Sequence, residues 1–469
     1  MTKQSLERSL KARHIHLIAI GGTIGTGIFM GSSDTISLAG PAVIFTYILA
    51  GLLLLVVMGA LAEMATAFPN VSMHSLIRMA FGNRISFIVS WLYWINWTLV
   101  TIVEVLAAGS FLRFWFTTIP LWALSLLVAC ILIGINLINV KYFGEIEFGF
   151  ASIKIITLII FIILGSCFIF GIFSNDSSTS VMNLTNNGGI FPKGLNSVFS
   201  ALLIVIFSYG GSELIGVTLT EMKDVRSVLP GVIKGLIFRI VLFYALPIII
   251  ICALIPWNQI AGHGSPFVHF FSLLGLNSAA HIMNFVLLTA VVSAANSGLY
   301  ATSRLLFSLA QDNEAPKTLS KLNKNGIPFY AVITCGLCLF IGSLLAYITP
   351  DKVISYLMSV PGVTILLLWM SICLAQVKLR KSYKIEPAFK LWLFPYITIF
   401  TCLCLSGTFI MFLIDPSNRI NSLVSLSFVA FVSVCSLIKH KNNQELKHNA
   451  STIDSSKKRI QNESPHLLK

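Results

Sequence analysis

The sequence predicts an all-α polytopic membrane protein: twelve transmembrane helices, with a 5+5 inverted repeat in which helices 1 and 6 are broken. Three observations lead there. Hydrophobic residues make up 56% of the chain and charged residues only 11%, whereas soluble domains carry about 25% charged residues. Apolar stretches of the roughly 20 residues needed to cross a bilayer recur along the 469 residues. Two of those stretches are interrupted by glycine, at matching places in two halves of the chain.

The twelve expected spans lie near 15–34, 40–62, 86–111, 120–139, 150–172, 197–219, 232–255, 278–301, 329–348, 353–376, 392–414 and 420–438. They divide the chain into a cytoplasmic segment 1–14, a first repeat 15–172, an external loop 173–196, a second repeat 197–376, the last two spans within 377–438, and a disordered cytoplasmic tail 439–469. The N-terminal segment is polar and carries no cleavable signal pattern. Orientation follows from lysine and arginine. With the N-terminus inside, Arg78, Arg84, Lys141, Lys223, Arg226, Arg304, Lys317, Lys378, Arg380 and Lys390 fall at cytoplasmic loops, against Arg113, Lys193, Lys352 and Arg419 outside. That asymmetry places both termini in the cytoplasm and the chain in the plasma (inner) membrane. Two longer external segments, 174–196 and 256–277, each have room for a short helix.

The net charge of +14 is spread over loops and ends with no continuous basic face, which argues against nucleic acid. The nine cysteines fall almost entirely in apolar runs. Cys335 and Cys338 form a CxxC on an apolar helix without a second pair or a nearby histidine, so no metal or cofactor is expected.

The first break is Gly21-Gly22-Thr23-Ile24-Gly25-Thr26-Gly27. Each glycine in a helix interior costs about 1 kcal/mol relative to alanine. In a bilayer, freed backbone groups are tolerated only against protein or a watery cavity. A seam for close helix packing is the competing explanation. The second break, Phe207-Ser208-Tyr209-Gly210-Gly211-Ser212-Glu213, lies five spans later. An odd offset makes the two run in opposite directions, the pattern of an inverted-repeat transporter with its site at the breaks.

Such a site suits a zwitterion. Half-helix N-termini present N–H groups to a carboxylate, and exposed carbonyls suit an ammonium. Gly21, Thr23, Ile24, Gly25, Thr26 and Gly27 are therefore the candidate carboxylate side, with Phe207, Ser208, Tyr209 and Gly210 the ammonium side. Carbonyls near Gly21 assist the latter. Tyr93 and Trp97, four apart on one helical face, are candidate walls.

Three ionisable residues fall inside spans, where charge is costly. Lys154 either snorkels to the interface or is a buried ammonium that bridges the fifth span to the first and eighth. Glu213 is a proton carrier, a substrate contact, or a carboxylate tied to neighbouring N–H groups. Glu104 either lines the pocket or pairs with Lys154.

Together these stretches resemble the amino-acid permeases of the amino acid–polyamine–organocation superfamily, in the branch shared by bacteria and fungi. The residues that carry the likeness are Leu10 to Ile15 running into Gly21–Gly27, Ala62-Glu63-Met64, Asn139 to Phe148 before Ile153-Lys154, Phe207 to Gly216 before Thr220-Glu221, Ser293 to Tyr300 before Ser303-Arg304, and Glu314 to Lys317. The chain departs from the pattern at Asp224-Val225-Arg226, where an Asp-Pro pair is usual. The resemblance implies a secondary transporter that imports amino acids with protons. It implies that Lys154 stands where sodium-coupled relatives hold an ion, in contact with Ser293. It also implies that Lys154, Glu213, Glu104 and Ser293 form the coupling route. An amino-acid exchanger, a cationic amino-acid permease and a non-transporting amino-acid sensor are the alternatives. An enzyme is not expected, because no catalytic constellation lies in the spans. The expected partners are the substrate, protons and the lipid bilayer. Neither the particular amino acid nor the oligomeric state follows from the sequence, beyond a lean toward a neutral substrate.

Overall fold

The computed structural model describes residues 24–69, 71–138, 140–172, 181–219, 224–260, 265–273, 277–348, 353–383 and 385–439. Gly21, Gly22, Thr23 and Glu221 lie outside the described residues, as do 1–20 and the tail from 440. Among the described residues the secondary structure is helical, with no strand. Nine helices there are long and apolar enough to cross a membrane.

The first half contains α1 (Thr26–Phe29), α2 (Gly31–Ala39), α3 (Val43–Ala67), α4 (Met73–Arg113), α5 (Leu121–Ile138) and α6 (Val140–Ile169). In the second half, α7 (Leu202–Ser208) and α8 (Ile215–Thr218) flank the second break. They are followed by α9 (Val225–Ile240), α10 (Leu246–Leu254), α11 (Pro266–Leu273), α12 (Asn277–Gln311), α13 (Phe329–Ile348) and α14 (Val353–Leu379). Last come α15 (Tyr396–Ile414) and α16 (Arg419–Lys439). The expected sixth span is the one divided into α7 and α8, and α1 is separated from α2 only by Met30. The segment 256–277, expected outside, carries α11.

Such helices form because the core of a bilayer holds no water to bond backbone groups. A spanning segment must satisfy its own backbone groups, and helices do so within the segment. Helix α3 is apolar all round, so it packs inward through Ala50, Leu54, Val57 and Leu61 while Phe45, Ile48 and Leu52 face outward. Helix α6 likewise presents Ile156, Ile160 and Ile163 outward. Small residues set the helix spacing. A side chain at Gly51 would strike Ile240 of α9, one at Gly336 would strike Ile133 of α5, and one at Gly342 would strike Ile102 of α4.

Helix α4 starts with a Ser72 cap, whose hydroxyl accepts the Ser75 N–H at 3.2 Å. It is interrupted at Gly82, whose φ of 80° favours glycine. Beyond that point α4 packs against α12 and α14 and forms the interior wall of the molecule. Helix α14 contains Pro361, which removes one backbone donor just before the cavity described below.

Two polar clusters tie helix ends together. Arg78 donates to Glu314 at 2.8 Å, to Asp312 at 3.2 Å and to Nε2 of His74 at 2.7 Å. A guanidinium cannot accept, so Nε2 is the acceptor and the ring proton sits on Nδ1, toward Ser86 and Ser90. In the second cluster, buried Glu63 of α3 accepts from Gln376 at 2.9 Å and from the Leu391 N–H at 2.8 Å, and pairs with Arg380 at 3.1 Å.

Candidate functional site

A small cavity lies where the two breaks meet. Gly25 and Gly27 line it from the first break, and Phe207, Ser208 and Gly210 from the second. Helix α4 contributes Asn96, Trp97, Val100 and Glu104. Ala294 of α12 and Ile365 of α14 complete the lining.

The first break is organised by a carboxylate from elsewhere in the chain. Oε1 of Glu104 accepts the Thr26 backbone N–H at 3.0 Å and the Thr26 hydroxyl at 2.9 Å; Oε2 lies 3.3 Å from the same N–H. Both residues are buried. The Thr26 N–H belongs to the first turn of a helix and has no intrahelical acceptor, so an anion is its natural partner. Gly25 is a glycine for a visible reason: any side chain there would collide with Oε1 of Glu104. Gly27 meets the other break directly, because a side chain there would collide with the backbone of Ser208.

The second break is organised from within. Helix α7 ends at Ser208, and the Gly210 N–H turns back onto the Phe207 carbonyl at 2.9 Å. Gly211 follows with φ of 111°, a conformation that L side chains rarely adopt. Its N–H is shared between the two Glu213 carboxylate oxygens, both at 3.2 Å. The Ser208 carbonyl, freed by the end of α7, accepts the Tyr244 hydroxyl at 3.2 Å.

The sequence-derived site residues distribute as follows. Gly25, Gly27, Trp97, Glu104, Phe207, Ser208 and Gly210 line the cavity. Ile24 and Thr26 are buried beside it. Tyr93 and Trp97 make an edge-on pair with centroids 6.5 Å apart. Both stand in electrostatic reach of the Glu213 carboxyl, which is fully buried and outside the cavity lining. Tyr209 donates to the Tyr47 carbonyl at 2.9 Å and packs on Tyr244 with centroids 4.3 Å apart. Lys154 is fully buried, and its charge is felt by Glu104. Ser293 is fully buried on α12, the helix that packs against α6.

Four lining residues were not singled out from the sequence. Asn96 was legible in principle: it is a polar residue within an apolar span, and 96, 100 and 104 follow the i, i+4 spacing of one helix face. Val100, Ala294 and Ile365 are apolar residues in apolar helices and carry no signal.

Comparison with known proteins identifies the family. Residues 14–440 match the family described as amino acid permease. The chain is 40% identical, over 94% of its length and 99% of the relative's, to an uncharacterized amino acid permease, YvbW, of Bacillus subtilis (strain 168). It is 36% identical to a gamma-aminobutyric acid permease of the same organism, covering 96% of this chain and 97% of that one. To a D-serine/D-alanine/glycine transporter of Escherichia coli (strain K12) it is 39% identical, over 81% of this chain and 82% of the relative. A chain of buried apolar helices with two glycine breaks meeting at one cavity, matched to this family over most of its length, belongs to the amino acid permeases: it is a multi-pass membrane transporter and not an enzyme.

Proposed function

We propose that the protein is a secondary active importer of L-amino acids, working by alternating access and coupled to proton entry, with Glu104 carrying the proton. In this reading it has twelve spans, with spans 1–5 and 6–10 as inverted repeats. Both termini are cytoplasmic and the membrane is the plasma membrane.

One observation carries the reading: the protein's own carboxylate, Glu104, occupies the N–H and hydroxyl of Thr26 at the first break, inside the cavity. A cradle that holds a side-chain carboxylate also suits the carboxylate of an amino acid. Two carboxylates cannot share those donors as anions, because like charges at that separation repel strongly. Substrate entry therefore favours a Glu104 that has taken up a proton and left the cradle. The substrate and one proton then travel together. Lys154, buried near enough for its charge to be felt at Glu104, stabilises the anionic form once the proton has gone. The substrate ammonium is assigned to the carbonyls of the second break around Phe207 and Ser208, which border the cavity.

A neutral substrate is favoured because Glu104 alone is charged among the lining residues. The names of the relatives point the same way. One is a gamma-aminobutyric acid permease, another a probable threonine/serine transporter, a third a D-serine/D-alanine/glycine transporter.

The test is uptake by purified protein in vesicles, with each of the twenty amino acids competing against one labelled amino acid under imposed proton or sodium gradients. Uptake driven by an inward proton gradient is expected. Uptake that follows sodium and ignores pH would overturn the coupling assignment.

A further inference from the structure

We propose that Asn96 reads a hydroxyl on the substrate's side chain, so that the cavity selects small hydroxy-amino acids such as serine and threonine. This deepens the amino-acid reading above and rests on it.

Asn96 lines the cavity and is only 1% exposed. One end of its amide is engaged: the Thr364 hydroxyl of α14 lies 2.9 Å from Oδ1. The other end, Nδ2, is buried with no hydrogen-bond partner among the described residues. A buried donor left unpaired is costly, and a ligand that pairs with it recovers that cost.

The identity of the missing group follows from Thr364. Its hydroxyl has one proton and three acceptors in reach: Oδ1 of Asn96, the Val360 carbonyl at 3.0 Å and the Pro361 carbonyl at 3.2 Å. With the proton on Asn96, the amide turns its N–H groups to the cavity. With the proton on Val360, the hydroxyl oxygen accepts from the amide, which then turns its carbonyl to the cavity. The two orientations interconvert by an amide flip. A hydroxyl both donates and accepts, so it completes either orientation. A methyl group completes neither. A side-chain carboxylate completes only the first and would share the cavity with Glu104.

Size narrows the class further. Val100, Ala294 and Ile365 are the apolar lining near this face. The space enclosed between these residues is small, which excludes long side chains. A site built to bond a hydroxyl rejects the analogue that lacks it, because its own polar group is then stranded.

The experiment is paired competition in proteoliposomes between L-threonine and L-valine, which have the same shape with a hydroxyl in place of a methyl. The wild type is expected to prefer threonine by about tenfold or more. Asn96→Ala and Thr364→Val are each expected to bring the ratio to within about twofold of unity. The ratio compares two substrates on one sample, so loss of active protein scales both alike. Thr364→Val is nearly isosteric and serves where Asn96→Ala does not fold. Equal handling of threonine and valine by the wild type, or an unchanged ratio in Thr364→Val, would overturn the role of Asn96 while leaving amino-acid transport standing. Absence of uptake for all twenty amino acids would instead sink the transporter reading itself.

Discussion

The two breaks solve one problem in two ways. Each exposes a backbone N–H inside the membrane, and each covers it with a glutamate. At the first break the carboxylate is borrowed: Glu104 comes from α4, 78 residues along the chain, and sits on Thr26 within the cavity. At the second the carboxylate is local: Glu213 folds back two residues onto Gly211 and lies outside the cavity lining. A local bond closes whenever the segment folds and has no competitor. A borrowed bond is one that a ligand of the same chemistry is able to replace. In the proposed cycle the first break exchanges ligands while the second stays rigid.

Four substitutions break or sharpen that contrast. The largest effect is expected from Gly25→Leu. Its side chain would occupy the place of Glu104 Oε1, so uptake should fall to background while the detergent-solubilised protein remains monodisperse. Normal transport by that variant would rule out a cavity at this break.

Glu104→Gln comes next. The amide oxygen still accepts from Thr26, but the group no longer cycles a proton. Uptake driven by a pH gradient should drop at least about tenfold, an effect of the size general for a lost proton-transfer group. Counterflow exchange of labelled for unlabelled substrate should survive. If driven uptake persists, Glu104 is not the proton carrier.

Glu213→Gln should behave differently. Its amide oxygen still accepts from Gly211, but trading a charged acceptor for a neutral one costs about 1–2 kcal/mol, which should appear as a lower thermal midpoint. The pH profile of whatever transport remains should keep its shape. A shifted profile would move the coupling role to the second break. The smallest effect is expected from Tyr244→Phe, which leaves the Ser208 carbonyl without its hydroxyl donor. The cost is about 1 kcal/mol, and substrate KM should change by no more than about fivefold. A larger change in KM would show that the carbonyl depends on Tyr244 for its position.

Much of this contrast was open to reading in the sequence, for reasons that differ by residue. Gly25 and Gly27 stood out because glycine is expensive in the middle of an apolar span. What demanded each glycine was not readable, since Glu104 and Ser208 reach them only through tertiary packing. Glu104, Lys154 and Glu213 stood out because charge in a membrane is costly wherever it sits. Whether a given carboxylate serves its own turn or a distant one depends on distance in space. For Glu213 the sequence left three roles open, and the hydrogen bonds to Gly211 are the ones the fold displays. Ala294 and Ile365 had no reason to be noticed, because an apolar wall of a cavity and an apolar core position use the same residues. The chain leaves helical geometry at Gly82, close to the expected start of the third span at 86, and 73–81 is a separate helical segment ahead of it that the apolar pattern did not announce.

Glycine at position 27 has a mechanical meaning as well. With no side chain between them, the backbone there and the backbone of Ser208 are in direct contact. In the proposed alternating-access cycle this contact makes Gly27 and Ser208 a shared pivot, with α1 and α2 on one arm and α7 on the other. Opening toward one side of the membrane and closing toward the other are then parts of the same stroke.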